Sequence, residues 1–137
     1  MIEVSHFHKW YDATVAVEGL SFKVEPGQVL GLVGPNGAGK TTTLRAICGI
    51  IPPTRGTLSV GGFDVRVHPI PAKRLLAYVP DDPKLFDMLT VGEHLRYIAE
   101  AYRVPNYEPL ANELLARFDL SEKRNTTGSE LSRGMRQ

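Results

Sequence analysis

Apolar and polar residues alternate at Leu20, Phe22 and Val24, with Ser21, Lys23 and Glu25 between them; this is the period of a strand with one buried face. Pro26-Gly27 supplies a turn after it. The next run, VLGLVG from Val29 to Gly34, is apolar throughout and predicts a strand covered on both faces, as a parallel sheet requires. Beyond a glycine-rich turn, Leu44, Ile47, Cys48 and Ile51 recur at i, i+3, i+4 and i+7. That spacing predicts an amphipathic helix from Lys40 to about Ile51. Pro52 and Pro53 are expected to end it, because proline cannot continue the hydrogen-bond ladder. TLSV-GG-FDV (57–65) reads as a hairpin, with Gly61-Gly62 free to take positive φ in a tight turn. LLAYVP (75–80) predicts one more short buried strand.

The last third changes period. Thr90 and Glu93 form a capping box, each side chain satisfying a backbone donor of the other. Leu95, Ile98, Ala99 and Tyr102 follow at helical spacing, and Pro105 is expected to stop that helix. Pro109 suits the first turn of a second helix with Leu110, Leu114, Leu115 and Phe118 on its apolar face. The order is an antiparallel β edge, an α/β core, then a helical segment. The fold class is therefore α/β, with one division: about 1–88 for the β subdomain and core, about 89–137 for the helices. No repeat, low-complexity tract or linker interrupts it.

Composition narrows the function classes. The 137 residues fit one ordinary domain, and 16 basic against 15 acidic residues leave a formal charge of +1. No strong field argues for nucleic acid or an anionic membrane. Cys48 is the only cysteine, so there is no disulfide framework and a reducing compartment is expected; its place on the helical stripe makes it a core residue. His6, His8, His68 and His94 lack ligand-like spacing and are expected to be ordinary surface or strand histidines. The N-terminus lacks the pattern of a signal peptide, and no apolar stretch is long enough to span a bilayer. Membrane association is expected only through a partner.

The chemistry concentrates in Gly34-Pro35-Asn36-Gly37-Ala38-Gly39-Lys40-Thr41, followed by Thr42, which matches G-x-x-x-x-G-K-[ST] without a gap. Glycines let the backbone wrap close to phosphates, where a Cβ would block the approach. Amide N–H groups and the N-terminus of the following helix then face the anion. Lys40 brings a point charge to the β- and γ-phosphates, and the Thr41 hydroxyl is placed to ligate Mg²⁺. The plainer alternative is a strand-to-helix turn that happens to be rich in glycine; the apolar run before it and the amphipathic helix after it argue for the phosphate site.

With LSRGMRQ at its end, the stretch GLVGPNGAGKTTTLRAICGIIPPTRGTLSVGGFDV resembles the ATP-binding cassette family, the ATPase domain of ABC transporters. The resemblance implies a P-loop NTPase core with an N-terminal antiparallel β subdomain and the start of a helical subdomain, with ATP and Mg²⁺ as cofactors. It places Tyr11 where the family has an adenine-stacking aromatic; a half-buried strand tyrosine is the alternative. AYVPDDPKLFDMLTV is similar to the glutamine-loop region, with Asp81 where a Gln is usual. Asp81 is expected near the metal, since carboxylate is a good Mg²⁺ ligand; a solvated Asp-Asp-Pro turn is the alternative. LSRGM resembles the signature motif that completes the opposite subunit's ATP site, through Ser132, Arg133, Gly134 and Met135. Arg133 replaces a glycine there and Met135 a glutamine. Phe86 to Val91 would lie near the surface that meets the membrane partner.

In this family an apolar strand ending in Asp-Glu, the Walker B strand with its catalytic glutamate, follows the signature. None is present up to Gln137. Binding of ATP is expected from these residues, but efficient hydrolysis is not, and the sheet is expected to be incomplete, exposing Val29, Leu30, Leu32 and Val33. Poor solubility or self-association of the isolated 137 residues follows from that. The leading expectation is the N-terminal part of the ATP-binding subunit of an ABC transporter, phrased like exporter subunits. Its partners would be a transmembrane permease subunit and a second ATPase subunit in a head-to-tail dimer, and its location cytoplasmic and peripheral to the membrane. No nucleic acid is expected. The alternatives are a nucleotide-binding fragment without turnover, or part of a soluble ABC protein acting on ribosomes or DNA.

Overall fold

The computed structural model describes residues 1–136, and the chain divides into two compact units, Met1–Tyr78 and a second beginning at Val79. In the first, β1 (Ile2–Tyr11), β2 (Thr14–Val24), β3 (Arg55–Val60) and β4 (Phe63–Asp64) form an antiparallel sheet in the order β2-β1-β3-β4. Helices α1 (Lys40–Ile47) and α2 (Pro69–Arg74) complete the unit. In register, Val4 faces Phe22 on β2 and Leu58 on β3. Val4, Phe7, Val17, Leu58 and Val60 from the sheet pack with Ala46 and Ile47 of α1 and Ala72 of α2. Burying a side chain such as Phe7 or Leu58 fully contributes roughly 1.5–3 kcal/mol.

Two devices shape the sheet. Gly61 and Gly62, at φ 58° and 83°, make the β3–β4 turn as their sequence predicts. A bulge in β1 puts His6 at φ 46°, and its N–H donates to Ser21 Oγ at 2.8 Å. Gly56 of β3 lies against that bulge with no room for a side chain.

Three expectations are corrected here. Residues 28–35 form no strand, while the exposure expected of an incomplete sheet is found at Val29 (99%), Leu30 (48%) and Val33 (97%), with Leu32 half-buried. The stretch 75–80 is not a strand either, and Leu75 and Val79 are exposed. A strand needs a hydrogen-bonded neighbour, and among the described residues every strand pairing is antiparallel and none involves these runs. The α1 helix is also shorter than expected and turned. It ends at Gly49, at φ 62°, where Ile50 N–H donates to Arg45 O and Gly49 N–H to Ala46 O. These are the paired bonds of a Schellman cap, which stops the helix before either proline. Its buried face is Thr43, Ala46 and Ile47, whereas Leu44 is exposed and Cys48 half-buried. Partial burial pushes the Cys48 thiol up, which keeps it protonated, while the charge of Lys73 pulls the other way.

The second unit is helical. Helix α3 (Val91–Ala101) starts at the expected Thr90–Glu93 capping box. It closes with Arg103 in the left-handed region, at φ 55°, where Val104 N–H donates to Ala99 O and Arg103 N–H to Glu100 O. Helix α4 (Glu108–Arg117) has Pro109 in its first turn and buries Ala111 and Leu115, but Leu110 and Phe118 remain exposed. A second capping box, Thr127 with Glu130, opens a short 3₁₀ turn at Gly128–Glu130, and the two capping threonines, Thr90 and Thr127, are bridged antiparallel. Hydrogen bonds from Thr90 hold the Glu93 carboxyl below the usual carboxylate range, and those from Thr127 do the same for Glu130. A depressed folded-state pKa means that the stabilisation is complete above the unfolded value, near 4.5, and is lost as pH falls through the folded one. Protection factors of the amides at residues 90–93 and 127–130, taken against the intrinsic rate at each pH, are therefore expected to fall on acidification before those of the β-sheet amides. A simultaneous fall at all these sites would refute it.

Candidate functional site

In the first unit the β1–β2 hairpin and the start of α1 meet. Gly39, at φ 81°, is the N-cap of α1, and a Cβ there would strike the Ala16 carbonyl oxygen and lie 2.7 Å from Val17 Cγ2 on β2. Thr43, buried, donates from Oγ1 to Gly39 O at 2.9 Å and fixes the first turn. This close seat of helix on strand sets the rotation of α1 and explains why its buried face differs from the simple apolar stripe.

The first amides of an α-helix have no intrahelical acceptor. At α3 neighbouring carbonyls take them: Val91 N–H donates to Thr126 O and Gly92 N–H to Arg124 O. At α1 the start has no side-chain cap and no acidic residue in its first turn. Its amide ends and dipole therefore favour an anion. Lys40 curls back over the loop, its Nζ donating to Gly34 O at 2.6 Å and Pro35 O at 2.7 Å. Ala38 N–H donates to Pro35 O, and Gly37 takes φ 84°. Residues 34–38 and Thr41 are exposed, with Thr42 half-buried beside them. An uncapped helix start and an ammonium held only by loop carbonyls converge on one loop, a combination that suits an anion; the crowding at Gly39 comes from its seat on β2.

Tyr11 ends β1 opposite Thr14, two residues before the Ala16 carbonyl that meets Gly39. Tyr11 is 46% exposed, with Lys9 Nζ 4.9 Å from its ring centroid. The structure thus brings Tyr11 to the P-loop end of the hairpin.

The second unit carries Asp81 and the signature residues. Asp81 sits exposed in a bend, and its carbonyl accepts from Arg133 Nη2 at 3.3 Å. Lys84 beside Asp82 holds the Asp82 carboxyl below its usual range, with Arg133 and Arg136 adding to the effect. Leu131 is buried, and Ser132 caps the short helix α5 (Arg133–Arg136), its Oγ accepting from Met135 N–H at 3.3 Å. A Cβ on Gly134 would meet open space. Among the described residues no group of three or more His, Cys, Asp or Glu is arranged to hold a metal ion, and no helix is long and apolar enough to cross a membrane.

His94 was expected to be an unremarkable surface or strand residue, yet it lies half-buried on α3 with both ring nitrogens hydrogen-bonded. Its place four residues after the capping Thr90 was the available signal.

The loop, its lysine and the open helix start have the form of a P-loop. The family model described as ABC transporter matches residues 17–137, and the chain belongs to that family. It is 34% identical to the SkfA peptide export ATP-binding protein SkfE of Bacillus subtilis, across 100% of this chain and 57% of that protein. It is 38% identical to the Nod factor export ATP-binding protein I of Burkholderia thailandensis, across 98% of this chain and 45% of that one. A solved structure described as the ATP binding subunit of an ABC transporter superposes with a TM-score of 0.88 at 36% identity, covering 98% of this chain and 57% of its own. The chain thus spans about half the length of the curated relatives it matches.

Proposed function

We propose that this chain is the nucleotide-gripping part of the ATP-binding subunit of an ABC exporter, peripheral to the cytoplasmic face of a membrane. The observation that carries the reading is the Lys40 ammonium folded over a glycine loop at an uncapped helix start. Residues 34–42 wrap the phosphates, Lys40 moves from the Gly34 and Pro35 carbonyls to the β- and γ-phosphates, and Tyr11 offers a face to the adenine. Thr41 would supply its hydroxyl oxygen to Mg²⁺. When bound, Mg-ATP supplies the phosphoanhydride whose cleavage drives transport. Ser132 and Gly134, with Arg133 and Met135 alongside, complete the ATP site of a second subunit across a two-fold interface, and Phe86 to Val91 meets a membrane-embedded partner. The export reading is supported by what the two relatives are named for.

Composite sites make a specific demand on the full-length subunit. Lys40→Ala and Ser132→Arg should each abolish ATP hydrolysis, because either change damages both sites of a symmetric dimer. Mixed in equal amounts they should recover about a quarter of the parent rate, since half the dimers are hybrids and each hybrid keeps one intact site of two. No recovery from the mixture, with both variants folded and dimeric, would remove the two-subunit site.

A further inference from the structure

Helix α3 presents His94 and Tyr97 on one face, and the turn 86–89 rests on them. His94 Nε2 accepts the Phe86 backbone N–H at 2.9 Å, and Nδ1 lies 2.9 Å from the Thr90 carbonyl oxygen. An amide only donates and a carbonyl only accepts, so the proton sits on Nδ1 and the lone pair on Nε2. The Phe86 ring then stacks on the imidazole, with centroids 5.9 Å apart and planes at 26°, and meets Tyr97 edge-on at 5.3 Å. The other side of the turn is held by backbone: Gly128 N–H donates to Leu89 O at 2.9 Å, and Ser129 N–H to Asp87 O at 3.2 Å. A Cβ at Gly128 would come within 2.8 Å of Phe86 O. Phe86, Met88, Leu89 and Tyr97 thereby shape an open apolar hollow of about 440 Å³, with Phe86 and Met88 exposed.

We infer that His94 is a positioning residue: its neutral Nδ1–H form fixes the backbone at Phe86, and through it the hollow that the membrane partner reads. The last clause rests on the exporter reading; the hold on the turn does not. Leu89 and Asp87 are tied down by main chain alone, whereas Phe86 N–H depends on one side-chain nitrogen. Phe86 is therefore the point at which a side chain decides the turn.

The test uses the full-length subunit. Histidine ¹⁵N spectra should show His94 protonated at Nδ1 and bare at Nε2; the opposite tautomer would overturn the inference without any variant. His94→Phe keeps the ring stack and loses both bonds. His94→Asn keeps a donor near the Nδ1 position and loses the acceptor, and His94→Gln brings a carbonyl within reach of Phe86 N–H. Loss of one such bond should speed Phe86 amide exchange by about threefold to tenfold in the Phe and Asn variants, with Gln near the parent. Affinity for the membrane subunit that co-purifies with the protein should fall in the same order. Equal exchange in all four proteins would overturn the hold on the turn, and affinity that ignored the exchange ranking would overturn the positioning of the partner surface. If the parent binds no membrane subunit, the exporter reading fails, and the exchange ranking still decides the role of His94.

Discussion

Lys40→Ala is expected to weaken Mg-ATP binding to the full-length subunit by about a hundredfold. A hydrogen bond to a charged group contributes roughly 1.5–3 kcal/mol, and each 1.4 kcal/mol is about tenfold in affinity. Two phosphate contacts would give more than a hundredfold, but Lys40 must first leave the carbonyls of Gly34 and Pro35, which offsets part of the gain. The lysine is only partly buried and its bonds stay within the loop, so the far-UV circular dichroism of the variant should match the parent. Calorimetric titration with Mg-ATP gives the answer. An affinity within about threefold of the parent would mean that the loop does not use its ammonium for phosphate, and the proposed site would fail with it.

Gly56→Ala carries the largest expected loss of stability. At φ 84° an alanine is strained wherever it stands, and here its Cβ would also run into the His6 and Ser5 carbonyl groups of β1. Those atoms belong to the bulge clamped between β2 and β3, so neither side can give way cheaply. A cost above about 4 kcal/mol is expected, a large part of the stability of an ordinary domain. Gly62→Ala is the matched control: its φ of 83° is nearly the same, but a Cβ there meets nothing within 4 Å. It should cost only about 1–2 kcal/mol of backbone strain. Urea unfolding of the full-length parent and both variants would separate clash from strain; equal losses would show that the bulge yields.

Local chemistry was readable wherever a few neighbouring residues decide the outcome. The Gly61-Gly62 hairpin and the Thr90–Glu93 cap need only their own side chains and dihedrals, and both are present as read. The glycine turn into α1 was legible for the same reason, since its demands fall on one continuous stretch. What failed depended on distant partners. The all-apolar run at Val29 to Val33 reads as a strand, but a strand needs a paired neighbour, and none pairs with it among the described residues; the exposure expected of an incomplete sheet is what Val29, Leu30 and Val33 show. The apolar stripe of α1 was misplaced because Gly39 docks on β2 and turns the helix. Gly49 was passed over as a helix stop in favour of the more conspicuous prolines, although glycine in the left-handed region is the commoner ending. The Thr127–Glu130 box had the same Thr-x-x-Glu pattern as its partner at residue 90, but no apolar run followed to draw attention to it.

The Lys40 ammonium is held by the carbonyls of Gly34 and Pro35, so an anion that draws it away must offer more than those two contacts. If residues 34–42 grip phosphate as proposed, that exchange sets a threshold which a multiply charged tail meets more easily than a single phosphate.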